Sequence, residues 1–138
     1  MKKSARKILS LVLILVLICT IATVTLATSA VVYDETPGGI SVELNYEINT
    51  RSVYSDMMVE HLPSSTYVKA SITYDLFQSG SFTPQNYTIS DDADGDNYIS
   101  VGKEYSSTNI RLENATFKYT ASMIHGDYFS RTISGVDP

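Results

Sequence analysis

Ile40-Ser41-Val42-Glu43-Leu44-Asn45-Tyr46-Glu47-Ile48-Asn49 sets five apolar residues against five polar ones in unbroken alternation. A period of two places one set on a buried sheet face and the other in solvent, which is the signature of a half-buried antiparallel strand. The pattern returns at Val68, Ala70, Ile72, Tyr74 and Leu76, with Lys69, Ser71, Thr73 and Asp75 turned away, and again at Phe117, Tyr119, Ala121 and Met123. Three such strands require a second layer to cover them. Shorter strands are predicted at 87–90, 98–101, 110–112 and 128–133, separated by clusters of Gly, Pro, Asn, Asp and Ser at the spacing of a sandwich or barrel. The fold class is therefore all-β: a single small antiparallel β-sandwich, or a barrel-like relative of it. Helical periodicity is weak throughout. At 53–62, Val53, Met57, Met58 and Leu62 fit either one face of a short helix ended by Pro63 or an irregular crossover.

Outward from this body the chain changes character. Residues 1–30 begin with Lys2, Lys3, Arg6 and Lys7, continue through an apolar run, and end in small residues, Ala27-Thr28-Ser29-Ala30. That order of charge, apolar core and small side chains is a secretory signal, predicted helical, with cleavage after Ala30 or after Ala27. Residues 8–27 are also long enough to span a bilayer, so an uncleaved anchor is the alternative, and the only predicted membrane contact. Residues 31–39 read as a flexible N-terminus, 40–133 as the β-domain and 134–138 as a loose C-terminus. The expected location is outside a bacterial cell.

After residue 30 the chain keeps six basic residues against fifteen acidic ones, a formal charge of −9. Such a surface repels phosphate backbones, so no nucleic-acid partner is expected. The single cysteine, Cys19, belongs to the leader, leaving a body of 108 residues without disulfides. Its stability must come from packing, pairing or a metal.

Asp91-Asp92-Ala93-Asp94-Gly95-Asp96-Asn97-Tyr98-Ile99 resembles the calcium loop of an EF-hand. Asp92, Asp94 and Asp96 fall at its first, third and fifth positions, where alternating carboxylates converge on a hard cation, and Tyr98 offers its backbone carbonyl at the seventh. Asn97 replaces the usual glycine, and Lys103 stands where the bidentate glutamate belongs. The alternative is a solvated hairpin tip, favoured by the near-mirror flanks Asn86-Tyr87-Thr88-Ile89-Ser90 and Asn97-Tyr98-Ile99-Ser100. Calcium is thus the one cofactor this sequence raises.

Catalytic patterns are weak. His61 and His125 belong to no metal motif, and no nucleophile elbow is present, so no catalytic residue is assigned and an enzyme is not expected. Glu43 and Glu47 share the solvent side of their strand. Ten tyrosines occur without a tryptophan; Tyr46 and Tyr74 alternate with the core set and Tyr67 with the polar set. Exposed tyrosines suit stacking on sugars or gripping proteins.

Ser52-Val53-Tyr54-Ser55, Tyr67-Val68-Lys69-Ala70-Ser71 and Ala121-Ser122 through Tyr128-Phe129-Ser130-Arg131 are loosely similar to the lactococcin group of small secreted β-sandwich bacteriocins. That resemblance implies a non-enzymatic protein acting on the bacterial envelope through lipid II. The chain departs from the group in lacking tryptophan, in its negative charge and in the acidic loop. Taken alone, the residues favour a secreted, non-enzymatic binding, adhesive or structural domain. Its partner would be a cell-wall glycan or a protein surface, and uncovered strand edges allow self-association.

Overall fold

A computed structural model describes residues 27–138, so the leader lies outside the described residues except for 27–30. Eight strands run in chain order: β1 (Ala27–Glu35), β2 (Ser41–Asn49), β3 (Ser52–Val59), β4 (Thr66–Gln78), β5 (Gln85–Asp94), β6 (Tyr98–Glu104), β7 (Ile110–Met123) and β8 (Tyr128–Val136). They form two four-stranded sheets, ordered β1-β2-β3-β6 and β5-β4-β7-β8, and every pairing is antiparallel. The sheets stack as an open sandwich, not a closed barrel. Among the described residues the one helical turn is a 3-10 turn at Pro63–Ser65, and no helix is long and apolar enough to cross a membrane.

The alternation in the sequence becomes the core. Val42, Leu44 and Ile48 of β2, Val53, Met57 and Val59 of β3, and Ile99 and Val101 of β6 face Val68, Ala70, Ile72 and Tyr74 of β4 and Leu112, Phe117, Tyr119 and Ala121 of β7. Each buried aliphatic side chain contributes about 1.5–3 kcal/mol by leaving water. Tyr46 is half-buried and tilts against Phe117 at 5.0 Å between ring centroids. Tyr119 crosses the sandwich to donate its hydroxyl to the Asn45 carbonyl at 3.0 Å. Burial pushes its phenol up to about 12, the nearby Ser55 hydroxyl partly opposing that rise. Ser55 Oγ itself is buried and has no hydrogen-bond partner among the described residues.

Three expectations need correction. Residues 53–62 are neither helix nor crossover at their start: β3 continues to Val59, with Val53, Ser55, Met57 and Val59 inward. The buried serine interrupts the apolar series and hides the period of two. Residues 31–39 are not a loose end, because β1 extends to Glu35 in nine ladder pairs with β2, Ala27↔Asn49 through Glu35↔Ser41. Nor is 134–138 wholly loose. Ala115 pairs with Val136 beyond a register shift, and the Asn114 amide, in a left-handed conformation at φ 53°, donates to Asp137 at 2.6 Å.

Side-chain clasps close one flank of the sandwich in place of disulfides. Thr36 Oγ1 and the Gly38 amide both donate to Asp127, the latter at 3.2 Å, and Arg131 meets Asp34 at 3.4 Å. These contacts tie β1 and its turn to the β7–β8 connection. Ala27 and Val136 both lie at the same end as the turns at 50–51, 79–84 and 105–109, hereafter the proximal end. The turns at 36–40, 60–65, 95–97 and 124–127 form the distal end.

Candidate functional site

The acidic run does not fold as a calcium loop. Asp92 and Asp94 belong to strand β5 on the outer face of its sheet, opposite Lys69 and Tyr67. Asp96 lies in the three-residue crossover that follows, and its Oδ1 accepts the Tyr98 amide at 3.1 Å. Tyr98 begins β6 in the other sheet, paired with Met58. The four residues are thus spread over an extended strand, a crossover and the opposite layer instead of wrapping one point. Among the described residues no three His, Cys, Asp or Glu side chains are grouped to hold a metal ion.

The hairpin alternative also fails, since β5 and β6 pair with β4 and β3 and never with each other. The chain turns between layers at Gly95, whose φ of 75° suits glycine and whose amide donates to the Thr66 carbonyl at 2.9 Å. Asn97 secures the crossover with its side-chain amide, which donates to the carbonyls of Val59 at 3.0 Å and His61 at 3.3 Å. The local effect of the carboxylates falls on Tyr67. Its phenol is raised above its ordinary value by desolvation first and then by the charges of Asp92 and Asp94.

The histidines lie at the distal end. His61 Nδ1 sits 3.2 Å from Thr66 Oγ1 in the β3–β4 connection, and His125 is exposed in the turn before Asp127. Asp127 accepts from Thr36 and Gly38.

A denser constellation lies on the outer face of the sheet β1-β2-β3-β6. The ladders align three rows across it: Tyr33, Glu43, Met58 and Tyr98; Val31, Asn45, Asp56 and Ser100; Ser29, Glu47, Tyr54 and Gly102. Tyr54 is central and 41% exposed. Its hydroxyl accepts from Ser100 Oγ at 3.0 Å and lies 3.5 Å from the Tyr98 hydroxyl. A Cβ at Gly102 would stand 3.0 Å from the Tyr54 ring and 3.1 Å from the Val53 carbonyl oxygen, so glycine lets the ring pack closely against β6 and a side chain there would press it aside. Shallow depressions flank the ring, one lined by Ser29, Val31, Asn45 and Glu47, the other by Ser52, Gly102, Lys103 and Glu104.

Polar groups of the face are preset. Asn45 Nδ2 donates to Asp56 at 2.7 Å and to Glu43 at 3.2 Å, which leaves the remaining carboxylate lone pairs turned to solvent. The bond from Ser100 favours ionised Tyr54, but the bond to Tyr98, desolvation and the charge of Asp56 outweigh it, and the phenol stays protonated above its ordinary range. Strand residues of this face include Glu43, Glu47 and Asp56 and no lysine or arginine. Chemically the face offers flat apolar rings beside hydrogen-bond acceptors, a surface for a neutral, donor-rich ligand.

Sequence reasoning placed Glu43 and Glu47 on this side but missed Tyr54, because β3 read as a helix or crossover. The available signal was Ser52, Tyr54, Asp56 and Met58 alternating with Val53, Ser55, Met57 and Val59. Tyr98 entered that reading for its carbonyl, whereas its ring is what reaches this face. The chain matches no protein-family model, and no match is found among curated proteins.

Proposed function

We propose that the protein is a non-enzymatic extracellular binding domain that holds an extended, uncharged glycan across the outer face of β1-β2-β3-β6. The observation that carries this reading is Tyr54, packed against Gly102 and bonded by Ser100 between two shallow depressions. A sugar ring presents a C–H face that packs on an aromatic face, and its hydroxyls donate to carboxylates such as Glu47 and Asp56. The acceptors surround the platform without a deep cavity, which suits a chain passing over the surface more than a small molecule enclosed by it. The excess of carboxylates over the single Lys103 at one depression disfavours anionic polysaccharides.

Retention of the protein on immobilised neutral cell-wall polysaccharides tests the reading. Tyr54→Ala should weaken retention about tenfold, the scale of ~1.4 kcal/mol, while leaving the melting temperature within a few degrees. Gly102→Val should weaken it as well by lifting the ring. Equal retention of all three proteins, or preference for a lysine-rich peptide lost at high salt, would remove the glycan from this face. The binding reading also expects no inhibition of bacterial growth, in contrast to the bacteriocin resemblance.

A further inference from the structure

The proximal end combines three features that the glycan face does not use. At the tip of the β4–β5 hairpin Phe82 is 100% exposed, on a turn fixed by the Ser81 amide bonding to Gln78 O at 2.9 Å and Ser81 Oγ bonding to Thr83 O at 3.1 Å. Arg51, Lys103 and Arg111 lie at this end beside the acids Asp75, Glu104, Glu113 and Asp137, so charges of the two signs are nearly balanced there. Glu113 pairs with Arg111, Asp137 accepts the Asn114 amide, and Asp75 accepts side-chain amides from both Asn86 and Asn114 at 3.1 Å. The distal end is far more acidic. It carries Glu35, Glu60, Asp92, Asp94, Asp96 and Asp127, with Lys69 across from Asp92.

The third feature is the point of chain entry. Ala27, the last residue of the apolar stretch 8–27, is already paired with Asn49, so the chain enters the sandwich at the proximal end. Cleavage after Ala30 would also remove four of the nine residues of β1 and leave the edge of β2 from Tyr46 to Asn49 without its ladder.

We infer that the proximal end is a lipid-facing surface, with Phe82 seated in the headgroup and acyl boundary of the same bilayer that residues 8–27 cross. The inference rests on the uncleaved-anchor alternative for the leader and is independent of the glycan reading. Because the chain enters the sandwich at the proximal end, an anchor formed by the leader places that end nearest the membrane. There an exposed phenylalanine is buried among acyl chains and Arg51 meets anionic headgroups, while the acidic distal end is repelled outward.

The chain contains no tryptophan, so one introduced residue becomes a unique reporter. Full-length Phe82→Trp is reconstituted in phosphatidylglycerol-containing vesicles with and without brominated acyl chains. Ile124→Trp, 73% exposed in the native chain at the distal end, is the matched control. The expected result is blue-shifted emission for Phe82→Trp with loss of most of its intensity to brominated lipid, and water-like, unquenched emission for Ile124→Trp. Equal quenching at the two ends, or water-like emission at Phe82→Trp, would overturn the inference. So would a membrane-extracted protein whose mass lacks residues 1–27 or 1–30. Glycan retention is read separately, so failure of either proposal leaves the other standing.

Discussion

The two outer faces of the sandwich obey the same alternation yet carry different chemistry. On β5-β4-β7-β8 the solvent side is largely hydroxyl: Ser71, Thr73, Thr88, Ser90, Thr116, Thr120, Ser122, Ser130 and Thr132, with Lys69, Lys118, Asp75, Asp92, Asp94, Tyr67 and Tyr128 among them. Thr73 and Thr88 bond across the strands at 2.9 Å. Threonine is a favoured strand residue, and cross-strand Thr pairs are ordinary sheet stabilisation, so folding accounts for the hydroxyl part of that face. The β1-β2-β3-β6 face contains Gly102, a poor strand residue, and several carboxylates that outnumber Lys103, the cation at its edge. Choices that work against sheet stability mark the face under another demand.

Phe117→Ala breaks the comparison most severely, because that ring is fully buried and packs against Tyr46 of the opposite sheet. It should cost about 3–5 kcal/mol in urea unfolding and weaken both faces together. Its neighbour Thr116→Ala, on the hydroxyl face, should stay within about 0.5 kcal/mol; a comparable loss there would show that this face is more than a polar exterior. Alkaline unfolding comes next. Tyr119 keeps its proton in the folded state to about 12, against 10.0 for the free phenol, so its stabilisation is complete below pH 10 and lost as pH rises through 12. The span corresponds to about 3 kcal/mol. Tyr74, raised by burial and by its 2.7 Å bond to Tyr105, acts in the same direction, so Tyr119→Phe should flatten the decline without abolishing it. An unchanged slope in Tyr119→Phe would assign the effect elsewhere. The smallest expected effect is that of calcium. Melting in chelator, magnesium and calcium should differ little, and Asp94→Ala should behave as the parent does. A calcium-specific rise abolished by that substitution would mean that the end of β5 rearranges to gather its carboxylates.

Strands β2, β4 and β7 were legible because their inward positions are uniformly apolar, and period two needs nothing more. Strand β1 was not, since Val31, Val32 and Tyr33 put apolar side chains on both faces, and β3 was masked by Ser55. The acidic run was read as one local object, yet the crossover at Gly95 divides it between two sheets. Residue spacing carries no information on which layer a strand joins. The tyrosine platform was illegible for the same reason. Tyr54 and Tyr98 are 44 residues apart and meet only through the β3–β6 pairing. Local pattern gives the faces of a strand, whereas a site across strands requires their order.

The ladder between β1 and β2 also determines how the domain would bear tension. In a chain held at the membrane through Ala27 and gripping a ligand at Tyr54, load passes along β1, over nine pairs into β2 and on to β3, within a single sheet. Antiparallel ladder bonds lie across the strand axis, so a pull along that axis loads them in shear, together, instead of opening them one at a time from an end. The route bypasses the interface between the layers, and a tether built this way resists force through backbone pairing without a covalent cross-link.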